Sequence, residues 1–350
     1  MNHLKHHARE MFRHASAETP WSQMTICALA TSLPLALGLL RGEVGAAIFG
    51  ALLGYFVTLN DHLGPALHRS MVAVLSAASL FGAFAIGLLL QQNVILFLGV
   101  LVLLTYWLGL MGGRGAEIER LIAFALIELL VGFYNSRLTL SILPGVLLYS
   151  SLALLIIVVS SILHSFWRSA PAAHKTLRES LAHSWTFSFR RHCYATSLSV
   201  TLMLALCCVE YWTIQRGYWT VITVLLIMRP SRQESVYRSI QRLLGTLAGI
   251  LLGAVLLAIV QNAWVLVVTI GLAAFGVPFA QRRNYALVSF LVSMVVLCLV
   301  SLPNIPNLDP RLPAIRLEAT LYGCALSLFG VGLFRCLEQG FGRYSGGPPA

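Results

Sequence analysis

The chain has 350 residues, of which 58% are hydrophobic and only 11% charged, and its mean hydropathy is +0.80. A soluble domain of this size needs far more charge on its surface, so the composition excludes a water-soluble globular protein and indicates a polytopic membrane protein in a lipid bilayer. The net charge of +11 is accounted for by basic cytoplasmic loops, without nucleic acid as a partner.

In chain order, residues 1–20 come first as a cytoplasmic segment. Leu4, Ala8, Met11, Phe12 and Ala15 form an apolar helical stripe beside Lys5, Arg9 and Arg13, the pattern of an interfacial helix on anionic lipid or of a solvated juxtamembrane helix. His3, His6, His7 and His14 lack the spacing of a metal site. No cleavage site follows the first apolar run, so that run reads as a retained signal anchor. Apolar spans are expected at 22–40, 44–59, 70–90, 94–111, 117–134 and 143–166. A basic linker, 168–192, carries a second amphipathic pattern: Leu177, Leu181 and Trp185 beside Lys175 and Arg178. A second set of spans is expected at 194–212, 217–229, 239–260, 263–280, 285–302 and 314–336, before a disordered tail at 339–350. The seven cysteines lie mostly in apolar runs and read as small buried helix residues.

The two sets superpose without a gap at an offset of 169 residues: His68-Arg69-Ser70 falls on Tyr237-Arg238-Ser239, Asn135 on Asn304, and Leu143-Pro144 on Leu312-Pro313. This is an internal repeat of six helices, over 21–167 and 193–338. An even number of helices per copy gives both copies the same orientation. With the N-terminus inside, nineteen of the 24 Lys and Arg residues fall on the inner side and five on the outer. That bias places both termini in the cytoplasm. The expected fold class is an all-α polytopic membrane protein with about twelve transmembrane helices in two parallel six-helix repeats, plus short amphipathic interfacial helices.

The eighth span stops at Arg229-Pro230 and is too short for a hydrocarbon core of ~30 Å. The second span, the matching segment of the first copy, is also short and ends in Asn60-Asp61. Paired short segments point to a transport site near the membrane midplane; the alternative is a span that exits early into an ordinary inner loop. On the first reading, Arg229, Arg232 and Arg238, with Arg69 from the first copy, face a polar cavity suited to carboxylates. Trp219 offers an aromatic face to substrate, or sits in the interfacial aromatic belt. Glu128 is the most deeply embedded of three acids, with Glu210 and Glu318 nearer the outer face; it is a candidate proton-coupling group, with Asp61 as its rival. Gly245, Gly249 and Gly253 share one helix face and allow close helix packing. No Walker lysine motif, HExxH, GxSxG or CxxC pair occurs, which disfavours an ATP-driven pump or a protease. The chain reads as a non-enzyme with no cofactor and no metal.

The block Tyr218-Trp219 through Met228-Arg229-Pro230, followed by Arg238, Arg242, Gly245, Gly249 and Gly253, resembles the fusaric acid resistance family of bacterial inner-membrane proteins. The resemblance covers about 194–260, and the plant aluminium-activated malate transporters look like distant relatives. It implies an inner-membrane transporter, an exporter of aromatic acids or drugs that works with a periplasmic adaptor and an outer-membrane channel. With the candidate proton-coupling acids and no ATP motif, the leading reading is proton-driven efflux of small organic anions, and a homo-oligomer is a further expected partner. Long members carry a large cytoplasmic domain between the halves, where this chain has only the linker. A passive anion channel and a non-transporting membrane scaffold are the competing readings.

Overall fold

A computed structural model describes residues 19–60, 65–112, 116–135, 138–167, 188–260, 262–305, 307 and 309–342. Among the described residues there are twelve α-helices and no strand. The helices are α1 (Trp21–Arg41), α2 (Val44–Leu59), α3 (Ala66–Leu89), α4 (Val94–Met111), α5 (Ala116–Tyr134), α6 (Leu143–Trp167), α7 (Phe189–Tyr211), α8 (Tyr218–Ile227), α9 (Arg232–Ile259), α10 (Ala263–Gln281), α11 (Tyr285–Ser301) and α12 (Leu312–Gly342). Each answers to one of the twelve apolar segments. The amphipathic stripes at 4–15 and 177–185 and the tail beyond 342 lie outside the described residues.

Several helix starts and side-chain caps recur 169 residues apart. Val94, Ala116 and Leu143 open α4, α5 and α6; Ala263, Tyr285 and Leu312 open α10, α11 and α12, each 169 residues later. Asn93 caps α4 by accepting from the Leu96 N–H, and its counterpart Asn262 caps α10 by accepting from Trp264. A short side-chain oxygen there satisfies a backbone donor that the first helical turn leaves free. The Asn135 amide donates to the Val131 carbonyl, and Asn304 donates in the same way to Val300. Pro144 and Pro313 sit in the first turns of α6 and α12, where a missing N–H costs no helical bond.

Nine helices among the described residues are long and apolar enough to cross a membrane: α1, α3, α4, α6, α7 and α9–α12. The 16-residue α2 and 10-residue α8 are apolar but shorter, spanning about 24 and 15 Å at a rise of ~1.5 Å per residue. The 19-residue α5 falls outside the nine because it opens with Glu117, Glu119 and Arg120 and carries Glu128. Large apolar side chains are exposed along the helices, among them Ile95 and Leu103 on α4, Leu251 and Ile259 on α9, and Phe329 on α12. Such surface is unfavourable in water and suits lipid, while the helices satisfy their own backbone bonds.

The chain divides into two compact units that each draw on both sequence halves. The first holds residues 1–82, 138–173 and 240–317; the second holds 83–137, 174–239 and 318–350. By the 169-residue offset, α1, α2 and α6 of the first unit correspond to α7, α8 and the body of α12 in the second. Likewise, α10 and α11 of the first correspond to α4 and α5 of the second.

In the first unit α1 packs on α2, α6 and α10, α2 on α6, and α10 on α11. Small residues allow this: Gly50 of α2 lies against Tyr149 and the Ser150 backbone, and Gly54 against Ala153 and the Ala30 carbonyl. Within the second unit α4 packs on α5 and α7, and α8 on α5 and α7. There Gly109 of α4 meets the Ala195 backbone, and Gly323 of α12 meets Thr220 and Thr223 of α8. Ser197 of α7 donates to the Gly330 carbonyl at 2.6 Å, a side-chain bond between helices of the kind that holds membrane bundles.

Candidate functional site

The second unit contains a helix that stops early. α8 runs ten residues, and Met228 beyond it is extended, with φ −61° and ψ 126°. Arg229 and Pro230 follow, and α9 begins at Arg232. Proline lacks the N–H needed to continue a helix and biases the preceding residue toward extended backbone. The break would leave the last carbonyls of α8 without helical partners. Side chains take them up. The Tyr194 hydroxyl donates to the Met228 carbonyl at 3.0 Å. Arg238 Nη1 reaches the Leu226 carbonyl at 3.5 Å, and Arg229 Nη1 reaches its neighbour's carbonyl, Met228 O, at 3.4 Å. The turn is closed by the buried Ser235, whose Oγ accepts from the Arg229 N–H at 2.9 Å and donates to the Arg229 carbonyl at 3.1 Å. Two cations at the carbonyl end of a helix also complement its dipole.

The arginines have acidic partners. Arg229 pairs with Glu119 of α5 at 3.2 Å and lies 3.9 Å from Glu234; Arg238 pairs with Glu234 at 2.9 Å. Their side chains are half-buried. The result is a cluster of two guanidinium groups and two carboxylates around a broken helix end.

Arg232 opens α9 and is exposed. Arg69 lies in the first unit, buried on α3, whereas Arg229, Arg232 and Arg238 belong to the second. Trp219 is buried on α8. Its ring carries the Arg216 guanidinium 5.6 Å from its centre and meets Tyr218 edge-on at 6.0 Å. Tyr218 in turn stacks on Tyr134 at 5.8 Å, and the Tyr134 hydroxyl donates to Glu210 at 3.2 Å. The Trp219 ring is therefore packed among protein groups.

Glu128 is 1% exposed on α5, and its Oε1 has no hydrogen-bond partner among the described residues. Glu318 is exposed on α12. Asp61 lies outside the described residues. Cys27, Cys193 and Cys298 are buried, Cys208 and Cys324 half-buried, and Cys207 and Cys336 exposed. No cluster of metal-ligand type occurs among the described residues.

The three glycines of α9 lie in the first unit along α11. A side chain on Gly245 would meet the Ala286 carbonyl, one on Gly249 the Phe290 carbonyl, and one on Gly253 the Leu297 side chain. Glu119 and Glu234 join the site without having been among its expected residues. Glu234 was legible, since it stands four residues before Arg238 on a helix face. Glu119 was not, because its partner is 110 residues away along the chain.

Residues 204–330 match the family model described as fusaric acid resistance protein-like. Among curated proteins, the Escherichia coli inner membrane protein YccS is 28% identical over 137 residues, which are 38% of this chain and 18% of YccS. An uncharacterized protein of Haemophilus influenzae is 25% identical over 147 residues, 41% of this chain and 20% of that protein. An uncharacterized Synechocystis protein is 31% identical over 114 residues, 32% of this chain and 15% of the relative. The match thus spans a fifth or less of the length of these relatives. No solved structure matches the chain. The break after α8, Arg229, Glu234 and Arg238 of the cluster, and the glycine face lie within the matched segment, and this all-helical membrane protein carries a fusaric acid resistance protein-like region over residues 204–330.

Proposed function

We propose that the protein is a bacterial inner-membrane transporter that exports small organic anions, aromatic carboxylates in particular, at the expense of a proton gradient. The observation that carries this reading is the pair of short helices α2 and α8, which occupy equivalent places in the two repeats. In α8 the break holds a half-buried cluster of arginine and glutamate. Non-helical backbone at membrane depth is tolerated where it lines a cavity or is buried in protein, and paired short segments of this kind mark binding sites in repeat-built transporters. The family match and the inner-membrane relative support the location. In this reading Arg238 and Arg229 receive the substrate carboxylate, Glu234 and Glu119 hold the arginines between transport events, and Glu128 carries the coupling proton. Both termini face the cytoplasm.

The orientation is checked by labelling. In a cysteine-free background, Asn307→Cys, in the turn between α11 and α12, is expected to react with a membrane-impermeant maleimide from the periplasm. A cysteine placed in 168–187 is expected to react only after the membrane is opened. Periplasmic labelling of the linker would reverse the orientation of both repeats.

Transport is tested in proteoliposomes with hippurate, an aromatic monocarboxylate whose amide slows passage of the neutral acid through lipid. Arg238→Gln is expected to cut hippurate flux at least tenfold at unchanged protein level, in line with the ~1.5–3 kcal/mol of one charge-assisted hydrogen bond. Arg238→Lys should recover only part, because an ammonium lacks the bidentate fork. Flux equal to the parent in Arg238→Gln would assign these arginines to holding the α8 end and to topology. For coupling, Glu128→Gln is expected to abolish accumulation driven by a pH gradient while leaving downhill hippurate exchange in place. Gradient-driven accumulation at the parental rate would remove Glu128 from the proton path.

A further inference from the structure

Arg242 is the largest fully buried side chain among the described residues, at 1% exposure. It stands on the α9 segment that belongs to the first unit. Both Nε and Nη2 are buried and have no hydrogen-bond partner among the described residues. These two nitrogens form one edge of the guanidinium plane, and their N–H bonds point the same way. That edge is the one that receives a carboxylate bidentately. Tyr55, on α2 of the same unit, is 3% exposed, and its hydroxyl also lacks a partner. The Arg242 charge acts electrostatically on this hydroxyl. The Tyr55 ring packs against Phe56, with centroids 5.5 Å apart.

A buried guanidinium with two donors unsatisfied is costly, and native structures rarely leave such groups without an occupant. Arg229 and Arg238 differ in having glutamates beside them. A single cation with one neighbouring hydroxyl matches a single negative charge. A dianion such as phosphate would bring a second charge with no partner, at a large desolvation cost.

We propose that Arg242 and Tyr55 form an anion-binding site in the first unit that takes a monocarboxylate, with Nε and Nη2 of Arg242 gripping the two carboxylate oxygens and the Tyr55 hydroxyl donating to one of them. The inference rests on the organic-anion reading above and adds a second site to it. The Phe56 ring beside Tyr55 adds an apolar face, which suits a carboxylate with an apolar body.

The test is a binding measurement on the purified full chain in detergent, which needs no transport. Hippurate is expected to raise the thermal unfolding midpoint in a saturable way, while its neutral amide, hippuramide, and inorganic phosphate do not. Tyr55→Phe removes one hydroxyl and should fold normally; it is expected to weaken hippurate binding about tenfold. Arg242→Met, which places an apolar chain of similar length in the same space, should be at least as stable as the parent without ligand and, combined with Arg238→Gln, should lose the hippurate response that Arg238→Gln alone retains. Arg242→Lys should keep a weakened response.

The proposal is overturned if the parent shows no hippurate response, if hippuramide or phosphate acts as well, or if Tyr55→Phe and Arg242→Met, each combined with Arg238→Gln, respond like Arg238→Gln alone. Flux separates this site from the transport reading. Hippurate binding lost when Arg242→Met is added to Arg238→Gln, with no flux in the parent, leaves the site standing without a transporter. Parental flux in Arg242→Met, with binding unchanged when it is added to Arg238→Gln, leaves a transporter without this site.

Discussion

Gly249→Leu is expected to lower the amount of folded protein severalfold. On α9, a Cβ at this position would sit 2.5 Å from the Phe290 carbonyl oxygen and 3.0 Å from the Ser293 Cβ of α11. The first of these is backbone and cannot rotate away, so the two helices must part. Parting them also strains the bond from Ser293 Oγ to Thr246 Oγ1, 3.3 Å long. Overpacking typically costs about 1–3 kcal/mol and more where backbone must move, and close approach is the main source of helix association in lipid. Gly253→Leu should cost less, because its nearest neighbour is the flexible end of Leu297 at 3.0 Å. Gly99→Leu is the control, since nothing lies within 4 Å of a Cβ there. Membrane-fraction abundance and the unfolding midpoint in detergent report the order. Parental abundance of Gly249→Leu would mean that α9 and α11 do not pack through this face.

Arg229→Gln is expected to destabilise the protein by about 1–3 kcal/mol, through Glu119 and Glu234 rather than through the arginine alone. The guanidinium lies between these two carboxylates, 3.2 Å from one and 3.9 Å from the other. Removing it leaves negative charge beside the carbonyl end of α8, where a cation is preferred. Neutralising Glu119 as well should restore part of the loss. A double-mutant cycle on Arg229→Gln and Glu119→Gln is therefore expected to show coupling of at least about 1 kcal/mol. Additive effects would mean that the pair contributes no interaction of its own and that Glu119 does not hold Arg229 between transport events.

The helical architecture was legible in the sequence because hydropathy alone marks helices in lipid. The twelve segments and the early stop at Arg229-Pro230 have counterparts among the described residues. The division into compact units was not legible. Each unit combines α1, α2 and α6, or their counterparts, with helices from the other half, and a repeat in sequence does not say which copy supplies a packing partner. The site was only partly legible. Arginine after a short span is a local signal, but it serves equally as a topology marker, a helix-end partner and an anion ligand. Glu119, which settles how Arg229 is held, comes from a different helix. Arg242 passed as one more inner-side positive charge, because burial of a side chain is a tertiary fact.

The proposed activity is movement of organic anions across the inner membrane. The direct measurement is hippurate counterflow in proteoliposomes: vesicles loaded with unlabelled hippurate are diluted into a trace of labelled hippurate, and the label inside is followed. A transient overshoot above equilibrium is expected, one that saturates with hippurate and is absent from protein-free vesicles. Label entry indistinguishable from protein-free vesicles, with folded protein present in both orientations, would contradict it.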